Sequence, residues 1–167
     1  MPFKRRYYPK GSRDKYSVEQ TNIQTPVSSS WDTFPQTTTL APTLQYALPV
    51  IAPSLVEGMR KVKHFDLTFT SPSDTPIVAY VLAFIPAGYS PNRLNLPLPG
   101  NAANMYEPNQ FVLSQGFLDF SGGPLRIRCP LSRNLNSGDN IALIVATYAD
   151  YTATQVYASI RYAITLQ

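Results

Sequence analysis

Basic and aromatic side chains are interleaved within the first fifteen residues, MPFKRRYYPKGSRDK. Lysine and arginine neutralise phosphates and release counterions, so this segment, the basic arm (residues 1–15), predicts salt-sensitive binding to a polyanion. Aromatic rings between the charges can stack on unpaired bases, which favours single-stranded nucleic acid over duplex. The arm residues that we expect to bind nucleic acid are Lys4, Arg5, Arg6, Tyr7, Tyr8, Lys10, Arg13 and Lys15.

The positive charge of the chain is concentrated in this arm. Residues 1–15 hold six of the fourteen basic residues and one acid, Asp14, so the arm carries +5. Residues 16–167 hold eight basic and nine acidic residues, a net of −1, which accounts for the overall +4. This asymmetry indicates nucleic acid as the first candidate partner and an anionic membrane as the second. A solvated tail, or a nuclear localisation signal at residues 4–6, would give the same pattern.

A second group of cations, Arg60, Lys61 and Lys63, lies where a strand is predicted to begin. A role in binding nucleic acid and a solvated strand end explain this group equally well. Arg126 and Arg128 alternate along another predicted strand. We interpret these two arginines as solvent-facing sheet surface.

Few residues outside the arm could support catalysis or bind a metal. A Ser-His-Asp arrangement is formally available at His64 and Asp66, but no G-x-S-x-G turn accompanies it, so a surface histidine is the preferred interpretation. Cys129, the one cysteine, lies on the apolar side of its segment and is predicted to be a small core residue. One histidine and one cysteine exclude the common multi-histidine and multi-cysteine metal sites. We therefore predict no enzymatic activity, no metal and no cofactor.

The elements that must position the cations are predicted to be β-strands. The chain contains 16 prolines, and an interior proline costs a helix about 3 kcal/mol, so long helices are disfavoured. Apolar and polar residues alternate with period two in three segments, 61–69, 125–131 and 156–166. Two continuous apolar runs, 76–86 and 141–149, are typical of central strands that are buried on both faces.

Weaker signals complete an all-β pattern of about eight strands, which indicates one β-sandwich or barrel over residues 16–167. The arm before it is expected to be disordered or extended. A helical turn is expected at the capping box 54–57, and a functional loop in the long aperiodic segment 87–109. The remaining features are strands at 16–25, 37–40, 44–51 and 111–120, a bulge at Gly116 and a turn at 137–140.

The sequence shows no segment that would place the chain in or across a membrane. No apolar run reaches the roughly 20 residues that a span needs, and the charged start is not followed by the apolar stretch of a signal peptide. A single cysteine cannot form an intramolecular disulfide. We therefore expect a soluble intracellular product with no membrane partner.

Three segments carry a resemblance to a known family: the start MPFKRRYYPKGSR, the segment LRIRCPLSRNLNSGDNIALIVATY and the ending VYASIRYAITLQ. With a basic arm ahead of about eight strands, they resemble the jelly-roll capsid (coat) proteins of small circular single-stranded DNA viruses, the circovirus-like and nanovirus-like groups. The resemblance covers most of the chain and implies an all-β, eight-stranded antiparallel jelly-roll β-sandwich. The arm is shorter and less basic than in circoviruses, so coat proteins of small RNA or satellite viruses are an alternative.

The resemblance implies a capsid subunit that assembles with about 60 copies of itself into a T=1 shell and packages single-stranded DNA through the basic arm. It further implies a virion protein that reaches the host nucleus during assembly and meets a cell-surface receptor of unknown identity. About 60 arms would supply roughly 300 positive charges against one negative charge per nucleotide. Body residues such as Arg60, Lys61 and Lys63 are therefore expected to share the neutralisation.

Two other function classes fit parts of the sequence. A nucleic-acid-binding OB-like β-barrel would explain the affinity for nucleic acid, but it would need its cations on a sheet face and not only in the arm. A trimeric β-sandwich ligand or phage fibre head would explain the many tyrosines but not the arm. A body with few charges and many aromatic residues favours extensive subunit contacts, as a shell requires.

Overall fold

The structure is a computed structural model that describes residues 16–24, 32–34, 43–55, 58–71, 78–91, 111–148 and 155–166. Within these ranges the chain forms β-strands wherever the periodicity predicts them. A short 3₁₀ turn, Phe120–Gly122, follows the sixth strand. The nine strands are β1 (Ser17–Gln24), β2 (Asp32–Phe34), β3 (Thr43–Ile51), β4 (Arg60–Thr70), β5 (Val78–Ile85), β6 (Phe111–Leu118), β7 (Leu125–Leu135), β8 (Asn140–Tyr148) and β9 (Tyr157–Leu166).

The strands form two antiparallel sheets that pack as a sandwich. Sheet 1 has the order β1-β9-β4-β7, and sheet 2 has the order β2-β3-β8-β5-β6. If the three-residue β2 is set aside, the other eight strands pair in nested fashion: first with eighth, second with seventh, third with sixth and fourth with fifth. This wrapping is the jelly-roll arrangement. The predicted all-β jelly-roll sandwich is therefore confirmed, with one short strand more than the eight expected.

The main core lies between the two sheets. Phe65, Leu67 and Phe69 of β4 are fully buried, as their alternation with polar residues predicts. The Phe69 ring centroid lies 5.3 Å from that of Tyr80 on β5, which joins the sheets across the core. Burial of a large apolar side chain contributes roughly 1.5–3 kcal/mol. This packing anchors β4, which lies between β9 and β7, against the opposite sheet.

The central strands of sheet 2 are also buried on their outer face. Val81, Ala83 and Ile144 belong to a second apolar cluster, separate from the main core. Every residue of β5 is buried. The prediction that the two continuous apolar runs form central strands covered on both faces is confirmed for β5 and β8, which pair with each other.

Two predicted details are wrong. The bulge expected at Gly116 is absent, because Gly116 pairs in register with Tyr80 and the irregularity falls between Leu82 and Ala83. Gly116 instead permits close packing, since an added Cβ would lie 3.2 Å from the Tyr80 ring. Leu131 was expected on the apolar side of β7, yet it is 47% exposed, because the β4–β7 pairing is irregular opposite residues 129–132.

Several other predictions fall on residues outside the described ranges. They concern the strand at 37–40, residues 92–109 of the long aperiodic segment and the second half of the capping box, 56–57. The first half of that box, Ser54 and Leu55, is not helical.

Three loops are fastened together at one end of the sandwich. The amide of Gly138 donates to the Ser54 carbonyl at 2.9 Å, which joins the turn at 137–138 to the loop after β3. The buried Asp139 carboxylate accepts from the amides of Ala87 at 2.9 Å and Asn136 at 2.8 Å. The predicted turn at 137–140 is confirmed, and its aspartate joins this turn to the loop that follows β5.

Gly138→Ala is expected to lower the free energy of unfolding by more than Gly88→Ala. Both glycines have a positive φ, 83° and 84°, where a side chain costs about 1–2 kcal/mol. An added Cβ at position 138 would also lie 2.7 Å from the Cβ of Ala87, whereas at position 88 it meets no atom within 4 Å. Urea unfolding of both variants measures the difference, and equal losses would contradict the contact between the two turns.

Candidate nucleic-acid interface

The outer face of sheet 1 gathers most of the basic residues that the structure describes. In the register of the sheet, Lys63 lies beside Ala163 and Ser132, and the next row places Asp66 between Arg161 and Arg128. Five cations and one acid occupy this face, which gives it a net charge of +4. We call it the basic face; its charged residues are Lys61, Lys63, Arg126, Arg128, Arg161 and Asp66.

A bulge in β4 assembles this face. His64 has a φ of 57°, and the pairing of β4 with both of its neighbours shifts around it. Val62 and Phe65 both point into the core although they are three residues apart, which regular alternation does not allow. The extra residue changes the phase of the strand. As a result Lys61 and Lys63 share the outer face with Asp66 instead of facing the core with Phe65.

Asp66 is the acid at the centre of the basic face. It accepts two hydrogen bonds from Arg126, one of them from Nε to Oδ1 at 2.8 Å. This pairing is the main reason that the pKa of Asp66 is lowered; burial opposes it, and the positive charges of Arg126, Arg128 and Arg161 add to it. The carboxylate therefore stays ionised and fixes Arg126, while Arg128 and Arg161 remain exposed.

The sign of the pH dependence follows from this lowered pKa. Asp66 contributes stability that is fully present above its unfolded pKa of about 3.9 and is lost as the pH falls through the lower folded pKa. Because the Arg126 side chain is 55% exposed, solvent screening makes this contribution small.

Asp66→Asn is expected to strengthen binding to single-stranded DNA. The change raises the net charge of the basic face from +4 to +5 and releases Arg126 for phosphate. The plot of log K against log salt should steepen by about 0.7 for each additional phosphate contacted. Fluorescence anisotropy with a labelled oligonucleotide over a range of salt measures the slope. Asp119→Asn is the control, since Asp119 is an exposed acid that caps the 3₁₀ turn away from this face; equal effects of the two variants would contradict the interface.

The basic arm joins the molecule at this face. Tyr16, the first described residue, lies beside β1, and its ring centroid is 3.5 Å from the Lys63 Nζ. A cation over an aromatic ring is worth about 0.5–1 kcal/mol at exposed sites. The residue that directly follows the arm in the sequence therefore contacts a cation of the basic face.

Uncharged polar groups continue the face toward the start of β9. Gln20 donates to Ser159 Oγ at 2.9 Å and to Asn22 Oδ1 at 3.0 Å, and Ser159 donates to Asn22 at 2.9 Å. Beside them lies a shallow groove of about 370 Å³ that includes the half-exposed Tyr157. Hydroxyl, amide and phenol groups can bind sugar and base edges, whereas cations can bind phosphates, so this face offers both kinds of group.

The structure separates the residues that the sequence singled out. Lys61 and Lys63 lie on the basic face, whereas the half-buried Arg60 donates to the carbonyls of Ala52 and Asp139 at the end of the sandwich. Arm residues 1–15 lie outside the described ranges.

Arg126, Arg128 and Arg161 were not predicted as binding residues. The sequence indicates on which side of its strand each arginine lies. Arg126 and Arg128 alternate with apolar residues, and Arg161 lies on the polar side of the last strand. Only the pairing of β9, β4 and β7 brings the three together.

The residues considered for catalysis do not form a catalytic arrangement in the described part of the chain. His64 is exposed, and the carboxylate of Asp66 is bound to Arg126. Cys129 is buried, as predicted, and its Sγ lies 3.2 Å from the carbonyl oxygen of Leu113. The described residues hold no group of three or more His, Cys, Asp and Glu that could bind a metal. Within the same ranges, no helix is long and apolar enough to cross a membrane.

No protein-family model matches the chain, and no curated protein matches it. Solved structures that resemble it include the dimeric latent PorU of Porphyromonas gingivalis, with 13% identity over 96% of this chain, 14% of that chain and a TM-score of 0.34. Another is the CBM36-1 domain of a multidomain xylanase from the hindgut metagenome of Trinervitermes trinervoides, with 12% identity over 87% of this chain, 96% of that chain and a TM-score of 0.28. The chain thus spans 14% of the length of PorU. These weak likenesses assign no function to it.

Proposed function

We propose that this chain is a capsid subunit that assembles into a small icosahedral shell and packages single-stranded nucleic acid, with DNA as the expected cargo. The observation that supports this most strongly is the basic face of a jelly-roll sheet at the point where the basic arm is attached. Face and arm together hold eleven of the fourteen basic residues. The proposal places the protein in the virion, with assembly in the host nucleus, and assigns it no catalytic role.

The charge of the basic face supports a shared role in packaging. The arms of about 60 subunits, at +5 each, would neutralise only part of the phosphates of a genome of a kilobase or more. The basic face adds +4 per subunit, which nearly doubles the charge available to the cargo. Lys61 and Lys63 were expected to share this task, and Arg128 and Arg161 strengthen the same surface.

Exposed apolar side chains in the loops and at a sheet edge support self-association. Leu55, 90% exposed, and Tyr89, 62% exposed, lie in the loops at the end of the sandwich that Asp139 joins. Leu131, 47% exposed, lies on β7, an edge strand of sheet 1. Loops and edges that carry large apolar groups are suited to contacts between copies.

The fold limits the alternatives. Jelly-roll sandwiches also occur in lectins and cupins, and fold alone does not decide function. A cupin-type metal centre needs several histidines, and the chain has one. The nine strands in two sheets also differ from the five-stranded barrel of an OB fold. A capsid subunit accounts for the cationic sheet face and for the exposed apolar residues together.

Negative-stain electron microscopy of the purified full chain tests the proposal. Uniform spherical particles whose nucleic acid is protected from nuclease are expected. Digestion of the extracted cargo with DNase and RNase then separates a DNA-virus coat from an RNA or satellite-virus coat. Isolated subunits that bind nucleic acid but do not assemble at physiological salt would overturn the capsid function, and particles without nucleic acid would overturn packaging.

A further inference from the structure

A cleft of about 390 Å³ opens where the edge strands of the two sheets, β6 and β7, face each other. Its volume lies within the roughly 300–1,000 Å³ that is typical of small-ligand sites. One wall is aromatic and the other is cationic and polar. The residues that line it are Lys61, Phe84, Phe111, Ser132, Arg133 and Asn134.

The aromatic wall offers a stacking surface. Phe111 is 55% exposed although it is a large apolar residue in a strand. Its ring packs against Phe84, with centroids 5.8 Å apart and planes inclined by 48°. The guanidinium carbon of Arg133 lies 4.7 Å from the centroid of the same ring. Phe111 therefore contacts two neighbours and keeps about half of its surface open to solvent.

The cationic wall carries two positive charges, those of Lys61 and Arg133. The Arg133 Nε is a buried donor with no hydrogen-bond partner among the described residues. Lys61 belongs both to this cleft and to the basic face. A phosphate chain that follows the basic face can therefore reach the cleft without leaving the cations.

We infer that this cleft binds one nucleotide unit of a single strand, with its base stacked on Phe111 and its phosphate held by Lys61 and Arg133. The inference rests on the proposed function, because it assumes that a nucleic-acid strand is bound on the basic face. A duplex keeps its bases stacked inside the helix and cannot use such a site. The cleft therefore makes the interface selective for unpaired nucleic acid, which charge alone does not do.

The test compares binding of a single-stranded DNA oligonucleotide of about ten residues with that of an abasic oligonucleotide of equal length, which has the same phosphates but no bases. The full chain, stripped of nucleic acid at high salt, is used in fluorescence anisotropy. Phe111→Leu is expected to weaken binding of the base-bearing strand about tenfold and to leave the abasic strand unaffected. Lys61→Gln should weaken binding of both strands.

Phe117→Leu is the matched control, since Phe117 is also exposed on β6, at 52%, but does not line the cleft. Thermal unfolding confirms that both leucine variants fold. As a second readout, a strand carrying 5-iodouracil should photo-cross-link to the peptide that contains Phe111. Equal effects of the two leucine variants, or cross-links only to other peptides, would overturn nucleotide binding at the cleft while leaving the proposed function intact. Failure of the wild-type chain to bind either oligonucleotide would instead overturn the proposed function.

Discussion

Removal of residues 1–15 is expected to lower the nuclease-protected nucleic acid per particle about tenfold or more while the sandwich stays folded. The deletion removes +5 and leaves a chain with a net charge of −1. Six basic groups that each contact a phosphate of a single strand contribute about 4 to the slope of log K against log salt. Among the described residues, the apolar core begins at Ile23, eight positions after the end of the arm. The ratio of absorbance at 260 and 280 nm and circular dichroism measure the two effects.

Two full-length variants separate the possible causes of this loss. Replacement of the six basic arm residues by glutamine removes charge only, and it should reproduce most of the deletion because phosphate contacts dominate affinity. Replacement of Phe3, Tyr7 and Tyr8 by leucine removes stacking only and should have the smaller effect. Loss of folding in the deleted chain, or unchanged cargo, would contradict an arm that acts as a separate packaging segment.

The strands of this protein could be predicted from the sequence because each one has a simple relation to the core. Only one side of strand β4 faces the core, so Phe65, Leu67 and Phe69 alternate with polar residues. Strands β5 and β8 are central and covered on both faces, so they appear as continuous apolar runs. Such patterns report the burial of each residue, which is a local property of the strand.

The basic face could be predicted only in part, because it depends on which strands are neighbours. Lys63, Arg128 and Arg161 are separated by dozens of residues, and nested pairing of the strands brings them together. Alternation shows on which side of its own strand each cation lies, but it does not show which strand lies beside it. Arg60 illustrates the opposite case. It is adjacent to Lys61 in the sequence, but its side chain donates to the Asp139 carbonyl at the end of the sandwich and does not lie on the basic face.

The bulge at His64 was hidden for a related reason. Its signature is the spacing of Val62 and Phe65, two core residues three positions apart. In a sequence, a phase change of this kind is hard to see, because Lys61 to Lys63 and His64 to Phe69 each alternate and only the adjacent polar residues Lys63 and His64 interrupt the period. The exposure of Leu131 comes from the same irregular pairing on the neighbouring strand.

The triple variant Lys63→Gln, Arg128→Gln, Arg161→Gln is expected to weaken binding of single-stranded DNA strongly without unfolding the chain. The net charge of the basic face falls from +4 to +1. Loss of three phosphate contacts should reduce the slope of log K against log salt by about 2. Arg126 is left in place so that Asp66 keeps its partner and no unpaired carboxylate is created. Substitutions at exposed surface positions usually change stability by about 0.5 kcal/mol or less.

Arg60→Gln is the matched control for the single variant Lys63→Gln. The two cations lie three positions apart on β4, and both changes remove one positive charge, but only Lys63 lies on the basic face. Lys63→Gln should reduce the slope by about 0.7 and Arg60→Gln should leave it unchanged. A larger effect at Arg60 would place the interface at the loop end of the sandwich instead.

A chain that combines the triple variant with removal of the arm tests whether the basic face and the arm bind the same nucleic-acid strand. If both contact one continuous nucleic acid, their phosphate contacts are separate, and the two reductions in slope should add to about 6. If the arm alone holds the cargo, the triple variant should have no effect in the deleted chain or in the full one. Additive loss, together with an unchanged unfolding temperature, is the result expected of a subunit whose sheet continues the binding surface that its arm begins.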